Sequence, residues 1–355
     1  NKVEYFLSAF DYYLPESYNP TTGKYLEKDS MINDAIEKLR LSTVLSLQSG
    51  RRDVVVVSTV SCIFGAGNPD YFQQNILDLA KGDELVRNGL LKALSSIGYN
   101  RMSDKFDQAK YRVIGDQVDI HHPVSEDSAI RLYFYGDEIE RIQLFNPLNG
   151  KTISNEDNVR IFPAKLYNAD LSKVPDIVQQ MRTDMEKEVA DFTSRGLLVE
   201  ATRLKERTTY DIEMFQELGY CFGMENYSRY IDNRLPGVRP RCLLDYFPND
   251  YLLFVDESHV TIPQIHAMYS GSAHMKRNLV DYGWRLAAAL DNRPLKFAEF
   301  EDSINQCIFV TATPADYELK MSDGVVVEQM IRPTGLVDPI IEIRPTKHML
   351  DNMLD

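Results

Sequence analysis

The sequence predicts an α/β protein, with a parallel sheet layered by helices and a small α+β unit inserted into it. Three features predict this. Short apolar runs without polar alternation, in "SGRRDVVVVSTV" (49–60), "YLLFV" (251–255) and "QCIFVTATP" (306–314), read as strands covered on both faces. From about 73 to 165 the texture changes to short alternating runs, separated by turns at Gly115-Asp116, Gly136-Asp137 and Asn149-Gly150. Residues 170–219 are helical in pattern and heavily charged.

Along the chain, "FLSAFDYYLPESYNPTTGKYLEKD" (6–29) carries Phe10, Tyr12, Tyr13, Tyr18 and Tyr25 around a turn running from Asn19-Pro20 to Gly23. Interleaved Pro, Glu, Asn, Thr and Lys prevent burial throughout. Two readings stand: aromatic packing into a core, or an exposed hairpin on which bases stack at roughly 1–3 kcal/mol each. "INDAIEKLRLSTVLSL" (32–47) places Ile32, Ala35, Ile36 and Leu39 on one helical face, with Asp29 or Ser30 as N-cap. "FGAGNPDYF" (64–72) reads as a loop and a unit boundary, and 74–97 as a helix-like segment opening the inserted unit. Ser194-Arg195-Gly196 separates two long helices whose charge run reads as a solvated face.

At 355 residues the chain has room for two or three domains, and 44% hydrophobic with 26% charged content is ordinary for a globular protein. No apolar run reaches membrane-spanning length, and "NKVEYFLSAF" lacks the features of a signal peptide. The chain starts without Met, so the expectation is a fragment, or an N-terminus continuing before Asn1. Cys62, Cys221, Cys242 and Cys307 are widely spaced in apolar contexts and read as buried free thiols. His121-His122 lacks companion ligands at metal spacing. These features fit a cytoplasmic address. A net charge of −14 argues against diffuse nucleic-acid binding, so any DNA contact must be focal.

"FVDESHV" (254–260) carries the chemistry. An apolar strand breaks off at Asp256 and Glu257, followed by Ser258 and His259. At the carboxyl end of a parallel strand, an Asp can hold Mg²⁺ and a neighbouring Glu can orient or deprotonate water. The alternative is an ordinary solvated strand end. "NPLNGKTIS" (146–154) ends like a phosphate-binding loop, but Phe145 stands where the first glycine is needed, so Asn149-Gly150 reads as a two-residue hairpin turn. "FGAGNPD" fails GxGxxG at Asp70.

Several long motifs together resemble the UvrB family, the damage-verifying subunits of bacterial UvrABC nucleotide excision repair. They include "EYFLSAFDYYLPESYNPTTGKYLEKDSMINDAIEKLR", "RRDVVVVSTVSCIFGAGNP", "GMENYSR", "LLDYFPNDYLLFVDESHVTIPQI", "YGWRLAAALDNRPL" and "VVEQMIRPTGLVDP". The resemblance spans essentially the whole chain. It implies a superfamily-two helicase-like (P-loop NTPase) α/β fold with an inserted β-hairpin and an inserted α+β domain.

The implied units are residues 1–72 with the hairpin at about 8–34, a UvrA-interaction domain at 73–168, the rest of the helicase-like domain at 169–335, and a linker at 336–355. The Walker A loop is expected before residue 1 and the second helicase domain after 355. Asp256 and Glu257 then correspond to the Walker B pair, with Asp256 on Mg²⁺. His259, Thr311 and Thr313 would couple ATP to DNA, with Thr311 standing where the family usually has Ser. Phe10, Tyr12, Tyr13, Glu16, Tyr18, Tyr25 and Lys28 match the DNA-binding hairpin, although the family more often has Tyr at the positions of Ala9 and Phe10. Arg101 and Arg112 match docking positions for UvrA, while Ile114 and Tyr133 replace a family Arg and Glu. The implied role is ATP-dependent loading at damaged DNA, a limited helicase-like activity, and hand-over to UvrC for incision. The residues also leave room for an ATP-independent docking and DNA-binding scaffold, or a helicase or translocase fragment.

Overall fold

Two pairs of parallel strands form the α/β part, Lys2–Phe6 beside Val54–Ser58 and Leu252–Asp256 beside Gln306–Val310. They are seen in a computed structural model that describes residues 1–166, 173–218, 220–331, 335, 337, 339–347 and 349–354. The expected junction at 168/169 and the start of the expected linker at 336 lie outside the described residues.

The pairs are separate two-stranded sheets, and they correct the expectation of burial on both faces. Phe6 and Glu4 point into the core, while Val3, Tyr5, Val55 and Val57 are exposed. Likewise Val255 is buried, whereas Leu252, Phe254, Ile308 and Val310 are exposed. Each apolar run therefore buries one face. Buried Glu4 is stabilised by the hydroxyls of Ser42 and Ser46, which donate to its Oε1 at 3.1 and 2.6 Å.

The helix after the hairpin also differs from expectation. It runs Asp34–Gln48, capped by Asn33, whose side chain accepts from the backbone N–H groups of Ala35 and Ile36. Asp29, Ser30 and Ile32 belong instead to the strand Asp29–Ile32. The buried face is Leu41, Val44 and Leu45, which meet Phe6 and Leu243, so the apolar stripe faces the core only in the helix's second half.

The inserted unit is a six-stranded sheet in the order Thr152–Glu156, Glu138–Phe145, Ala129–Tyr135, Gln117–His121, Lys110–Ile114, Asn100–Arg101. All neighbours are antiparallel except the last pair. One face packs Val118, Ile120, Leu132 and Ile142 against Leu90 and Leu94 of the helix Arg87–Ser96. The turns at Gly115 and Gly136 stand where the sequence places them, each with φ near +60°. The Asn149-Gly150 turn is wider than expected. Residues 146–151 form a loop in which the Asn146 side chain accepts from the N–H groups of Leu148 and Asn149. The helix-like segment 74–97 resolves into a helix Pro69–Gln74, a strand Leu77–Ala80 and the helix Arg87–Ser96. The strand forms because Asn158–Ile161 pairs with it, a partner distant in sequence.

Two 21-residue helices, Val174–Ser194 and Leu198–Leu218, flank Gly196, whose φ is +75°. Their shared core includes Met181, Met185, Leu204, Ile212 and Phe215. Their charge run is only partly a solvated face, since Asp211 is fully buried. The Glu188 carboxylate accepts from the backbone N–H of Ala287 at 3.1 Å through both oxygens.

Burial pushes the Glu188 carboxyl up to about 7, reinforced by nearby Asp184 and opposed by the Ala287 N–H. Its proton is held more tightly folded than unfolded, so this group's contribution to stability falls as pH rises from the ordinary carboxylate range through 7. Glu188→Gln is expected to raise Tm more at pH 8 than at pH 5, measured by thermal denaturation at both values. A gain that is equal or larger at pH 5 would contradict the assignment.

Candidate functional site

The aromatic segment forms a long, two-part antiparallel ribbon. Phe10–Leu14 pairs with Asp29–Ile32, and beyond it Ser17–Asn19 pairs with Lys24–Leu26. At the tip, the Asn19 side chain accepts from the N–H groups of Thr21 and Thr22, and Gly23 takes φ +66°. Near the root the rings stand out in solvent: Phe10, Tyr12 and Tyr13 are 36%, 50% and 51% exposed. Phe10 and Tyr13 lie 4.9 Å apart between centroids, and the Lys28 ammonium is 6.0 Å from each.

The outer half of the ribbon is not free. Glu16 receives Arg285 Nε at 3.0 Å and the Tyr25 hydroxyl at 2.6 Å. The Arg285 Nη1 donates to Asp211 at 2.9 Å, which also accepts the Tyr227 hydroxyl at 2.7 Å. The Tyr25 ring stacks on Trp284 at 3.9 Å, Tyr18 meets both Trp284 and Tyr282, and the Arg203 guanidinium lies 4.4 Å from the Trp284 ring. Lys28 pairs with Glu225 at 2.7 Å. Beneath them Lys276 donates to Asn226, and burial pushes its ammonium down to about 8 against the pull of Glu225 and Glu16. Gly283 is required nearby: its φ is +67°, and a Cβ there would lie 2.4 Å from the carbonyl oxygen of Glu200.

The residues expected on DNA thus fall into two groups. Phe10, Tyr12 and Tyr13 present exposed rings, whereas Glu16, Tyr18, Tyr25 and Lys28 contact residues 203–285. Sequence reasoning missed that second set: Asp211, Glu225, Trp284 and Arg285. One signal was available, because Trp284 is the chain's single Trp and stands next to an Arg.

The DESH segment lies at the carboxyl end of the second strand pair, where Asp256 is in register with Val310. Glu257 makes the turn into the helix Ser258–Asp281 with φ +44° and ψ +48°, a left-handed conformation that is strained for a side-chain-bearing residue. The Glu257 N–H donates to Asp256 Oδ1 at 3.0 Å, and both carboxylates are exposed. His259 Nδ1 and Thr311 Oγ1 are 2.7 Å apart, and the Thr313 N–H donates to Thr311 Oγ1 at 3.1 Å. The structure therefore joins DESH to TATP by a direct side-chain contact. An exposed oxygen donor such as Asp256 suits Mg²⁺, which keeps several waters. Among the described residues no three His, Cys, Asp or Glu side chains converge as metal ligands. His121 is buried, with Nδ1 2.9 Å from the carbonyl oxygen of Phe106.

In the inserted unit, Arg101 is exposed on the edge strand. Arg112 is held: with Arg131 it grips the fully buried Asp119 at 2.8 Å, and its guanidinium lies 4.4 Å from the Phe106 ring. Ile114, Gln117, Tyr133 and Arg141 form the adjacent row across the sheet, with the Arg141 guanidinium 3.8 Å from the Tyr133 ring. Among the described residues no helix is long and apolar enough to cross a membrane.

Comparison with known proteins adds the following. Residues 77–167 match the model of the UvrB interaction domain, and residues 172–233 that of the UvrB third helical domain. All 355 residues align at 53% identity with UvrABC system protein B of Cytophaga hutchinsonii, covering 53% of that protein. The corresponding proteins of Bacteroides fragilis and Mycobacterium leprae are 50% and 49% identical, with 52% and 50% of their lengths covered. The chain spans about half the length of these curated relatives.

Arg285→Ala would strip the buried Glu16 carboxylate of its cation and leave Asp211 with only Arg207, at 3.7 Å. It is expected to cost about 3–5 kcal/mol of stability, as for other broken buried pairs. The deficit should shrink as pH falls, because burial already holds the Asp211 carboxyl above the usual carboxylate range and its protonation removes the unpaired charge. Thermal unfolding at pH 7.5 and 5.5 checks both points, and an unchanged Tm would show that the ribbon tip is not anchored there.

Proposed function

Because the chain belongs to the UvrB family, we propose that it serves nucleotide excision repair, contributing the strand-probing hairpin and part of the ATP-coupled domain that loads at DNA damage. One observation carries this reading. The exposed rings of Phe10, Tyr12 and Tyr13 stand on a ribbon tethered at both ends, by the chain at its root and by the Glu16–Arg285 cluster near its tip.

A single strand held between ribbon and body would meet these rings as π-faces that accept any base, which suits verification of damage rather than sequence readout. The focal aromatic contact fits a chain of net charge −14, because stacking needs no basic surface. Release of a strand would require opening the Glu16–Arg285 and Lys28–Glu225 pairs.

The two parallel pairs and the DESH–TATP contact support a superfamily-two helicase-like arrangement. In it Asp256 would hold Mg²⁺ and Glu257 would orient and deprotonate water. MgATP, when bound, supplies a phosphoryl group whose transfer can be coupled to movement. The His259–Thr311 contact ties the strand end bearing Asp256 to the loop bearing Thr313, so a shift at one is felt at the other. The interaction domain would dock on UvrA, with Arg101 accessible and Arg112 fixed in orientation by Asp119. UvrC would act on the loaded complex.

Tyr12→Ala and Tyr13→Ala test the hairpin. Each is expected to cost roughly 1–3 kcal/mol of single-strand affinity, with Tm nearly unchanged, and the double variant should lose more. Oligonucleotide anisotropy and thermal melting decide. A stability loss of about 3–5 kcal/mol, seen as a large drop in Tm, with affinity intact would return the rings to the core.

The nucleotide reading has its own test. In a version carrying a phosphate loop, Glu257→Gln should retain nucleotide binding and lose most turnover, whereas residues 1–355 alone should not hydrolyse ATP. Unchanged turnover in Glu257→Gln would remove Glu257 from the chemistry.

A further inference from the structure

We propose that the arginine-lined cleft beside the loop 59–68 is a phosphate subsite, separate from the hairpin and from the DESH strand end. The cleft has a volume of about 290 Å³ and is lined by Asn68, Asp232, Arg234, Val238, Arg239 and Arg241.

Its location follows from the first strand pair. Phe6 and Ser58 are register partners at the carboxyl ends of Lys2–Phe6 and Val54–Ser58. From Phe6 the chain enters the ribbon. From Ser58 it enters the loop ending at Asn68, which pairs with the 241–242 segment through the Ala66 N–H to the Arg241 carbonyl oxygen at 2.9 Å. Ribbon and cleft wall therefore spring from adjacent strand ends, the region where parallel sheets gather ligands.

The hydrogen bonds show which cation is available. Arg234 is spent within the protein: Nε goes to Asp232 at 3.1 Å, Nη1 to the carbonyl oxygens of Val238 and Asp291, and Nη2 to Ser228 Oγ. Arg239 grips Asp245 with both Nη atoms, at 2.8 and 2.7 Å. Arg241 reaches the same Asp245 only through Nη1 at 3.2 Å. Its side chain is 47% exposed, and its Nε and Nη2 have no protein partner among the described residues. Three guanidinium groups thus face two carboxylates, Asp232 and Asp245, leaving one positive charge with an open donor fork. A planar guanidinium fork matches phosphate oxygens in bidentate geometry. The carboxylate of Asp232 opposes an anion, and its pairing with Arg234 offsets that.

The ligand chemistry is a phosphate oxyanion, from a nucleic-acid backbone or from a free polyphosphate. The nucleic-acid source rests on the DNA reading above. The test uses residues 1–355 with Arg241→Gln and Arg241→Lys, beside Tyr12→Ala/Tyr13→Ala. Single-stranded oligonucleotide affinity is measured from 50 to 300 mM salt, and thermal shift is measured with pyrophosphate.

Arg241→Gln is expected to lose roughly three- to tenfold affinity at low salt for every sequence, and to flatten the log–log salt slope by about 0.7. Arg241→Lys should restore most of the slope, and Tm should not move. If only the pyrophosphate shift depends on Arg241, the subsite takes free polyphosphate. If neither depends on it, the proposal is overturned. Sensitivity to Tyr12 and Tyr13 without sensitivity to Arg241 sinks the subsite and leaves the hairpin. The opposite pattern sinks the hairpin reading and leaves the subsite.

Discussion

Arg285 sits buried between two carboxylates that are distant in sequence, Glu16 and Asp211, and much of the molecule's organisation depends on that ion cluster. Removing three charges from water costs several kcal/mol per ion unless each has a well-placed opposite charge or donor. Here the hydroxyls of Tyr25 and Tyr227 add donors to Glu16 and to Asp211 Oδ2, and the Arg207 guanidinium lies 3.7 Å from Asp211 Oδ1. The arrangement is demanding geometrically, so it holds one ribbon position rather than a range. Aromatic stacking on Trp284 adds attraction that depends less on angle.

The same constraint sorts the hairpin residues by role. A residue cannot offer its full hydrogen-bonding capacity to a ligand while it completes a buried cluster. Glu16 and Tyr25 are committed to the anchor. Phe10, Tyr12 and Tyr13 have no such commitment and keep exposed faces. Arg112 follows similar logic in the inserted unit, where shared possession of Asp119 with Arg131 fixes its orientation. A guanidinium held this way gives up adaptability and gains a defined direction.

At the second strand pair, the local geometry turns on one residue. Parallel pairing brings the ends of Leu252–Asp256 and Gln306–Val310 level, so the loops that follow must diverge sharply. Glu257 makes that turn in the left-handed region, and two residues later His259 reaches Thr311. Strain is tolerated at this position because the strand and the helix on either side determine the backbone between them.

The periodic features were legible in the sequence by itself. Alternation marked the strands of the inserted sheet, Gly115 and Gly136 marked its turns, and the DESH motif marked a strand end, because each depends on neighbours within a few residues. The strand Leu77–Ala80 was not legible, since its partner Asn158–Ile161 lies some eighty residues away. Which face of each apolar run is buried was hidden for a related reason: an all-apolar strand carries no alternation to break the symmetry. The anchor was hidden as well. Glu16, Asp211 and Arg285 look like ordinary surface charges in sequence, and only tertiary packing removes them from water together, which is what turns three solvated charges into one rigid joint.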